Sequence, residues 1–516
     1  MSVFSHVCNA DQARNAEKKA IEVVGIPSLV LMENAARGIS EFIEGLQGIQ
    51  RIAIVCGPGN NGADGLTVAR LLSSHGKKVQ VYIDLENISE ATAAHLDVIS
   101  QLNIPIYQLE EFEPNADLLV DAMFGTGLNK PLPKSYALVA ELINAAKLPV
   151  LAIDIPSGID ASNGRLLGPS GVRAHWTVAL DTLKWGHLLQ EGRARSGKVV
   201  VKDIGLPSFL HDGDGSVPLL DEEMAKRMLP KRTRFGNKAT FGNALLAGGS
   251  FRMQGALCMA SQACFRCGCG TMTIFAPKPA AKLLASKMEL AMTLPAFANP
   301  AGFFKEGAGN KDLLASRIEP FSAVGCGNGM GQGLGAKEVL EAVMEGPQPA
   351  VIDADGINLL GHFPEMWEGV TKTVILTPHI KEFCRLTGKT IKEVLDHPLA
   401  LVKEFVREHP NVILVLKADW TIVCSAKRVA VLNRPDDALS KGGSGDVLAG
   451  MITGLLSMRM DPFNAAALGV YLHNQAATYR KSTFSFTPLD LIENIGLAFE
   501  SLEAAKKAMK PSIEQK

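Results

Sequence analysis

The sequence predicts two α/β domains in one chain, each built on a mostly parallel sheet with helices on both faces. Three observations lead there. Short apolar, β-rich runs alternate with helical stretches. The alternation lapses once, over residues 205–222, into "GLPSFLHDGDGSVPLLDE", rich in Gly, Pro and Asp, and then restarts. A chain of 516 residues also exceeds what one ordinary core holds. The expected domains are residues 1–210 and 222–510.

In the first domain, "RIAIVC", "VQVYID", "LLVDAMFG" and "VLAIDIPSG" read as buried strands that end in Gly, Asp or Pro. Between them, "ADGLTVARLLSSHG" has helical spacing through Leu66, Ala69, Arg70 and Leu72. In the second, "NALLAGGS", "TMTIFAP", "FSAVGCGNG", "AVIDADG", "TVILTPH" and "VILVLKAD" are strand-to-loop junctions, and the chain from Gly445 to about Ala505 reads as helical. Ligands of such sheets sit at the carboxyl ends of the strands.

Composition narrows the function classes. Basic and acidic residues number 52 and 53, so no nucleic-acid footprint follows. No apolar run has the length of a membrane helix, and the first residues lack the pattern of a signal peptide. Nine cysteines in such a chain are expected to be reduced thiols, in a cytoplasmic enzyme without a membrane partner.

The first glycine loop, "RIAIVCGPGNNGADG", spaces Gly57, Gly59 and Gly62 as G-x-G-x-x-G after a strand. Such a loop can bring backbone N–H groups to a phosphate, and Asp84 stands where a ribose-binding acid would. A tight turn produces the same spacing, however, and Asn60, Asn61 and Asp64 crowd the loop with polar groups unusual for a dehydrogenase. Asp121 and Asp154 follow at other strand ends, with Ser157 nearby. Each alone could be a turn former. Together, oxygen donors without Cys or His suit a hard cation, and so little charge suits a monovalent one.

"CGPGNNGADG", "VDAMFGTGLNKP" and "DIPSGID", with "LMENAARG" before and "TLKWGH" after, resemble in order the YjeF-type N-terminal domain, the NAD(P)H-hydrate epimerase. The resemblance covers about residues 1–205 and implies a Rossmann-like three-layer fold. It implies that Asn60, Asn61, Gly62, Ala63 and Asp64, with Gly125, Thr126, Gly127, Leu128, Asn129, Lys130 and Pro131, hold the hydrated nucleotide. Asn61, Asp121 and Ser157 would ligate potassium, and Asp154 would contact substrate and serve as the acid–base group. Lys184 is a further candidate, against an exposed structural lysine. Ala63 stands where the family usually has Gly, which requires a negative φ there. The chemistry suits these residue types: lone-pair push from the ring nitrogen expels the C6 hydroxyl, water re-enters from the other face, and a carboxylate shuttles the proton.

The second glycine motif is "SKGGSGDVLAGMITGLL", residues 440–456. Its glycines aim helix N–H groups at an anion, and Asp446 in the first turn can take a proton from a hydroxyl beside it. No Walker loop is present. The motif resembles the anion hole and catalytic Asp of the ribokinase superfamily. Together with "GNKATFGNALLAGGS", "QGALCMA", "VGCGNGMG", "VIDADGINLL", "LTPHIKEF" and "VLKADWTIV", it resembles the YjeF-type C-terminal domain, the NAD(P)H-hydrate dehydratase.

That resemblance covers about residues 225–505 and implies a ribokinase-like α/β domain. Ala256, Gly329, His379 and Asp446 would contact the hydrate, with Asp446 the general base on its C6 hydroxyl. Lys417, Ala418, Asp419, Trp420, Thr421 and Gly445 would hold ADP, giving AMP and phosphate, with magnesium on the nucleotide phosphates. The substrates are the hydrates of NADH and NADPH, and a homo-oligomer is implied. Departures are Asn237-Lys238-Ala239 for the usual His-Lys-Gly, and Cys326 and Asn328 within the usual Gly-Pro-Gly-Leu-Gly; these are expected to loosen a substrate loop and leave the Asp446 region intact. Lys441 replaces the usual Thr and could reach phosphate or solvent.

Cys264, Cys267 and Cys269 in "CFRCGCG" invite a metal reading but lack a completing ligand pair. His379 and Glu382, three apart, suit substrate contact or helix capping better than a metal pair. A dehydrogenase fused to a small-molecule kinase, and a nucleotide-binding scaffold without activity, are the alternative readings.

Overall fold

In the computed structural model, residues 6–86 and 88–508 are described; the outermost ends of the expected domain ranges, 1–5 and 509–510, fall outside them. The chain divides into two compact units, Met1–Pro218 and Leu219–Lys516. Among the described residues, no helix is long and apolar enough to cross a membrane.

The first unit is a seven-stranded sheet of β1 (Arg51–Cys56), β2 (Lys78–Ile83), β3 (Ile106–Gln108), β4 (Leu118–Ala122), β5 (Val150–Ile153), β6 (Trp176–Leu180) and β7 (Lys198–Lys202). The strand order is β3-β2-β1-β4-β5-β6-β7 with every pair parallel. Side chains alternate along β1: Ile52, Ile54 and Cys56 join Ile39, Ile43, Leu66 and Leu72 in one core, while Ala53 and Val55 join Tyr136, Val139 and Ile143 in another. Helices Ser28–Glu44 and Asn60–Ser74 thus cover one face and Lys134–Ala145 the other, the three layers of a Rossmann-like fold.

The glycine loop that opens helix Asn60–Ser74 has a packing function. A Cβ on Gly57 would lie 1.7 Å from the Met123 carbonyl oxygen, and one on Gly62 would lie 1.8 Å from that of Gly57. Two of the three glycines let the chain fold onto itself and onto the end of β4, whereas Gly59 has open space. Ala63 sits inside the helix with no positive φ, so its methyl group is accommodated. The segment expected to be a linker is built into the first unit as far as Pro218, and from Leu219 into the second: Val217–Pro218 pairs with His6–Cys8, the His211 ring bonds the Asp181 carboxylate at 2.8 Å, and Leu220 N donates to the Val431 carbonyl.

The second unit is a nine-stranded sheet of β8 (Asn243–Ala247), β9 (Thr271–Pro277), β10 (Met292–Ala296), β11 (Ala323–Cys326), β12 (Ala350–Ile352), β13 (Val374–Leu376), β14 (Val412–Lys417), β15 (Thr421–Cys424) and β16 (Val429–Leu432). In the order β10-β9-β8-β11-β12-β13-β14-β15-β16, the first seven are parallel and the last two form an antiparallel hairpin. Helices Ser444–Ser457, Pro462–Ala477 and Pro488–Ala508 make up the helical tail. Helix Ser444–Ser457 lies against helix Gln254–Arg266 with almost no side chain between them: a Cβ on Gly450 would be 2.0 Å from the Ala260 carbonyl oxygen, and one on Gly454 2.4 Å from that of Cys264.

Candidate active sites

At the carboxyl ends of β1, β4, β5 and β6 the first unit has a cavity of about 520 Å³. Asn60, Asn61, Asp64, Asp154, Lys184 and the loop from Gly125 to Lys130 line it, loop residues Thr126, Gly127, Leu128 and Asn129 included. Gly62 and Ala63 are buried in the helix behind it and Pro131 lies against Gly168, so these three are not in the lining. Asp84 caps its own turn by accepting from the Glu86 N–H at 2.9 Å.

Asp154 follows β5 with φ +65°, a left-handed backbone that is uncommon for a residue with a side chain. Three contacts hold it there. Lys184 Nζ donates to Asp154 Oδ1 at 2.6 Å, Leu180 N donates to the same oxygen at 3.3 Å, and His187 Nε2 donates to the Asp154 carbonyl at 2.7 Å. His187 Nδ1 accepts from Lys184 N at 3.0 Å, which fixes the Nε2–H tautomer. Burial holds His187 at about 4, hence neutral. Lys184 is buried rather than exposed, correcting the bland reading of that residue. Burial alone would push the Asp154 carboxyl up, but Lys184 and the bonds to it hold it below its ordinary value.

Asp64, in the same cavity, has the opposite electrostatics: burial, then the neighbouring Glu17 and Asp154, push it well above its usual range. The cavity therefore holds one stabilised carboxylate and one carboxyl group that favours its proton. Glu17 and Asp181 also line it and carried no sequence signal that set them apart from surface acids.

Behind this lining, Ser157 Oγ donates to Asp121 Oδ1 at 2.6 Å and lies 3.2 Å from the Phe124 carbonyl oxygen. The Asn61 Nδ2 atom is buried without a partner, and the Oδ1 would lie 3.2 Å from a Cβ on Gly125. This set of amide, hydroxyl, carbonyl and one carboxylate oxygen fits a weakly charged hard cation.

In the second unit a cavity of about 650 Å³ is lined by His379, Lys417, Ala418, Asp419, Thr421, Lys441 and Gly445, together with Arg434 and Asp436. Trp420 is buried and its indole is not part of the lining. Gly443 (φ +103°) turns the chain into helix Ser444–Ser457, and a Cβ on Gly445 would meet Lys417 Nζ at 3.3 Å. That lysine and the helix N-terminus converge on one point, which suits a phosphate. Buried His473 braces the turn through the Ser444 carbonyl at 2.9 Å.

Asp446 lies outside that cavity lining, bonded at Oδ1 by Asn328 Nδ2 at 2.7 Å. Its neighbour Gly329 (φ +65°) abuts Ala256, whose Cβ would be 3.2 Å from a Cβ on the glycine. Ala256 and Gly329 thus meet next to Asn328 and Asp446, none of them in that lining, whereas His379, expected to contact the hydrate, lines the cavity with the nucleotide candidates. His379 caps helix Ile380–Thr387, accepting from Glu382 N at 3.1 Å, and its half-exposed ring faces the cavity. Burial raises Asp446 to about 6, with Asn328 and Lys417 opposing and Asp353 and Asp355 adding to it. A base must be ionised to accept a proton, so dehydration is expected to fall as pH drops through about 6 and to level off above it, as a pH–rate profile would read.

The departures fall differently from expectation. Asn328 is not a loosening of a loop; it contacts Asp446 directly. Cys326 is buried. Lys441 Nζ donates to the Phe484 carbonyl at 2.8 Å and to that of Phe486, so it ties down a neighbouring segment rather than facing solvent. Cys264 and Cys269 approach to 3.9 Å inside the core, and among the described residues no group of three or more His, Cys, Asp or Glu could hold a metal ion.

Comparison with known proteins gives matches across both units. The family described as YjeF-related protein N-terminus matches residues 28–186, and the family described as NAD(P)H-hydrate dehydratase matches residues 244–496. The bifunctional NAD(P)H-hydrate repair enzyme Nnr of Moorella thermoacetica is 32% identical over 498 residues, covering 93% of each chain. That of Pyrobaculum aerophilum is 32% identical over 509 residues, covering 93% of this chain and 97% of its own. Among solved structures, the ADP/ATP-dependent NAD(P)H-hydrate dehydratase of Bacillus subtilis, co-crystallised with ATP and Mg²⁺, aligns with a TM-score of 0.49 at 26% identity, covering 55% of this chain and 99% of its own.

Proposed function

Because the chain belongs to the bifunctional NAD(P)H-hydrate repair enzymes, with an epimerase and a dehydratase in one polypeptide, we propose a specific division of labour between its two cavities. The epimerase spans residues 1–210 and inverts C6 of the hydrated nicotinamide in the first cavity. Hydroxide leaves one face of C6, pushed by the ring nitrogen, and Asp154 takes a proton from the water that enters the other face and passes it to the departed hydroxide. Lys184 keeps that carboxylate ionised between turnovers, and His187 holds the backbone turn that presents it. Asn60, Asp64 and the Gly125–Lys130 loop hold the nucleotide, with Gly62, Ala63 and Pro131 shaping their support. Asn61, Asp121 and Ser157 would hold a potassium ion, which when bound supplies positive charge beside the substrate.

The dehydratase spans residues 222–510 and acts on the S epimer. Asp446 takes the proton from the C6 hydroxyl, the oxygen attacks the β-phosphate of ADP, and AMP leaves. The C6–O bond then breaks with phosphate as leaving group, pushed by the ring nitrogen, and the cation loses a proton from C5 to the departing phosphate, which restores the C5=C6 double bond of NADH or NADPH. Lys417 and the N–H groups at Gly445 neutralise charge on the transferring phosphoryl group. Magnesium, when bound, screens the nucleotide's phosphates. Ala418, Asp419 and Thr421 form the nucleotide wall with Trp420 packed behind it, Ala256 and Gly329 form the hydrate wall, and His379 reaches the hydrate from the nucleotide cavity. Family resemblance further implies a homo-oligomer in the cytoplasm.

The observation that best supports this reading is Asp446, a base with a raised pKa, set between a hydrate-side wall and a cavity where Lys417 meets a helix N-terminus. A mixture of hydrate epimers, followed by the absorbance of reduced nicotinamide, tests it. Complete recovery with ADP, and none without nucleotide, is the expected result. Oxidation of substrate by NAD, or a stable phosphorylated product, would favour the dehydrogenase–kinase alternative.

A further inference from the structure

Asn328 sits between β11 and Asp446, 2% exposed. Its carbonyl accepts from Gly249 N at 2.8 Å, which ties its backbone to the end of β8. Its side-chain amide donates to two carboxylates at once: to Asp446 Oδ1 at 2.7 Å and to Asp353 Oδ2 at 3.1 Å. Asp353 is otherwise occupied on Oδ1, by Lys417 Nζ at 3.0 Å and Thr377 Oγ1 at 2.7 Å. Asp353 is buried and Asp446 partly buried, and neither can donate to the other without taking up a proton.

We propose that Asn328 is the positioning residue of the dehydratase: its two amide hydrogens hold Asp353 and Asp446 apart as separate carboxylates and leave Asp446 Oδ2 as the oxygen that takes the substrate proton. The inference rests on Asp446 being the base. Among the described residues, Oδ2 has no protein hydrogen bond, whereas Oδ1 is committed to the amide. The family usually has Leu at this place, so the amide is this chain's own device, reaching both acids where leucine could hydrogen-bond neither. An apolar side chain leaves two carboxylates facing each other in a poorly solvated site, where like charges drive one of them to keep a proton. An aspartic acid has one proton for two acceptors and adds a third acid. The amide is fixed in charge across the working pH range, so the separation survives when Asp446 itself changes state.

The groups that act on Asp446 are few: Asp353 and Asp355 oppose its ionisation, and Lys417 and Asn328 favour it. From the helix Pro462–Ala477, His473 faces the same turn but is neutral, burial having lowered it to about 4. Removing Asn328 thus leaves Lys417 alone against two carboxylates, and Lys417 is already bonded to Asp353.

The test uses the full-length chain with the S hydrate and ADP. In Asn328→Ala, the acidic limb of kcat is expected to move up by about one to two pH units, with kcat at neutral pH down about tenfold or more and the KM for hydrate changed far less. Asn328→Asp, which fills the same volume, is expected to move the limb at least as far. The thermal melt of each variant separates this from unfolding. If both variants stay folded and keep the parent limb, the positioning role is overturned. If the parent itself has no acidic limb, or Asp446→Asn is active, the reading of Asp446 as base fails instead.

Discussion

Asp446→Asn is expected to abolish dehydration of the hydrates while epimerisation continues at the parent rate. The loss in kcat should be on the order of 10²- to 10⁴-fold, the usual contribution of a positioned base. Asparagine fills the same space and can still meet Asn328 through its carbonyl oxygen, so the helix N-terminus and the Lys417 contact at Gly445 should persist. The signature is therefore a fall in kcat with the KM for ADP nearly unchanged. Interconversion of the two epimers, resolved chromatographically, reads the first unit in the same sample. Loss of both activities in folded protein would break the assignment of one reaction to each cavity.

Asp154→Asn should give the complementary result. Recovery of reduced nicotinamide with ADP would begin at the parent rate and stop once the S epimer is consumed, leaving the R epimer behind. The expected drop in epimerisation is again on the order of 10²-fold or more. This variant carries a structural risk that Asp446→Asn does not. The Lys184–Asp154 pair is almost fully buried, with side-chain exposures of 3% and 9%, and an ammonium without its counter-charge costs about 3–5 kcal/mol in such a place. Thermal melting of the variant, read beside the epimerisation assay, distinguishes a lost proton acceptor from a loosened unit.

The long buried strands were legible because both of their faces are covered, which leaves continuous apolar runs such as "RIAIVC" and "VILVLK" with a polar residue at the end. β7 and β10 were not, because they are edge strands whose partly solvated faces dilute the pattern, and β10 even contains Pro295. The hairpin β15–β16 is silent in the sequence for another reason: two four-residue strands around a short turn give no helical or crossover signal.

At the sites, aspartates at strand ends and in the glycine turn stood out by position. Lys184 and Asn328 stood out too, but not their pairing with those acids. Lys184 lies 30 residues from Asp154 and Asn328 lies 118 from Asp446, separations that only the sheet order brings together. Asp353 was present in a strand-end run, yet nothing local distinguished it from the turn-forming Asp355. The first glycine motif was misleading for a physical reason, since Gly57 and Gly62 satisfy a steric demand of the chain itself.

The glycine seam between helices Gln254–Arg266 and Ser444–Ser457 has a mechanical consequence. With Gly450 and Gly454 bringing backbone against backbone, the two helices have no side-chain cushion in which to slide or roll. Ala256 at the start of one and Asp446 at the start of the other therefore form a single rigid anvil. Two unlike molecules must nevertheless enter and a smaller product must leave. The opposing lip, His379 beyond β13 and Lys417 at the end of β14, is itself tied by a parallel backbone bridge, so both walls of the cavity meet the substrates as fixed surfaces.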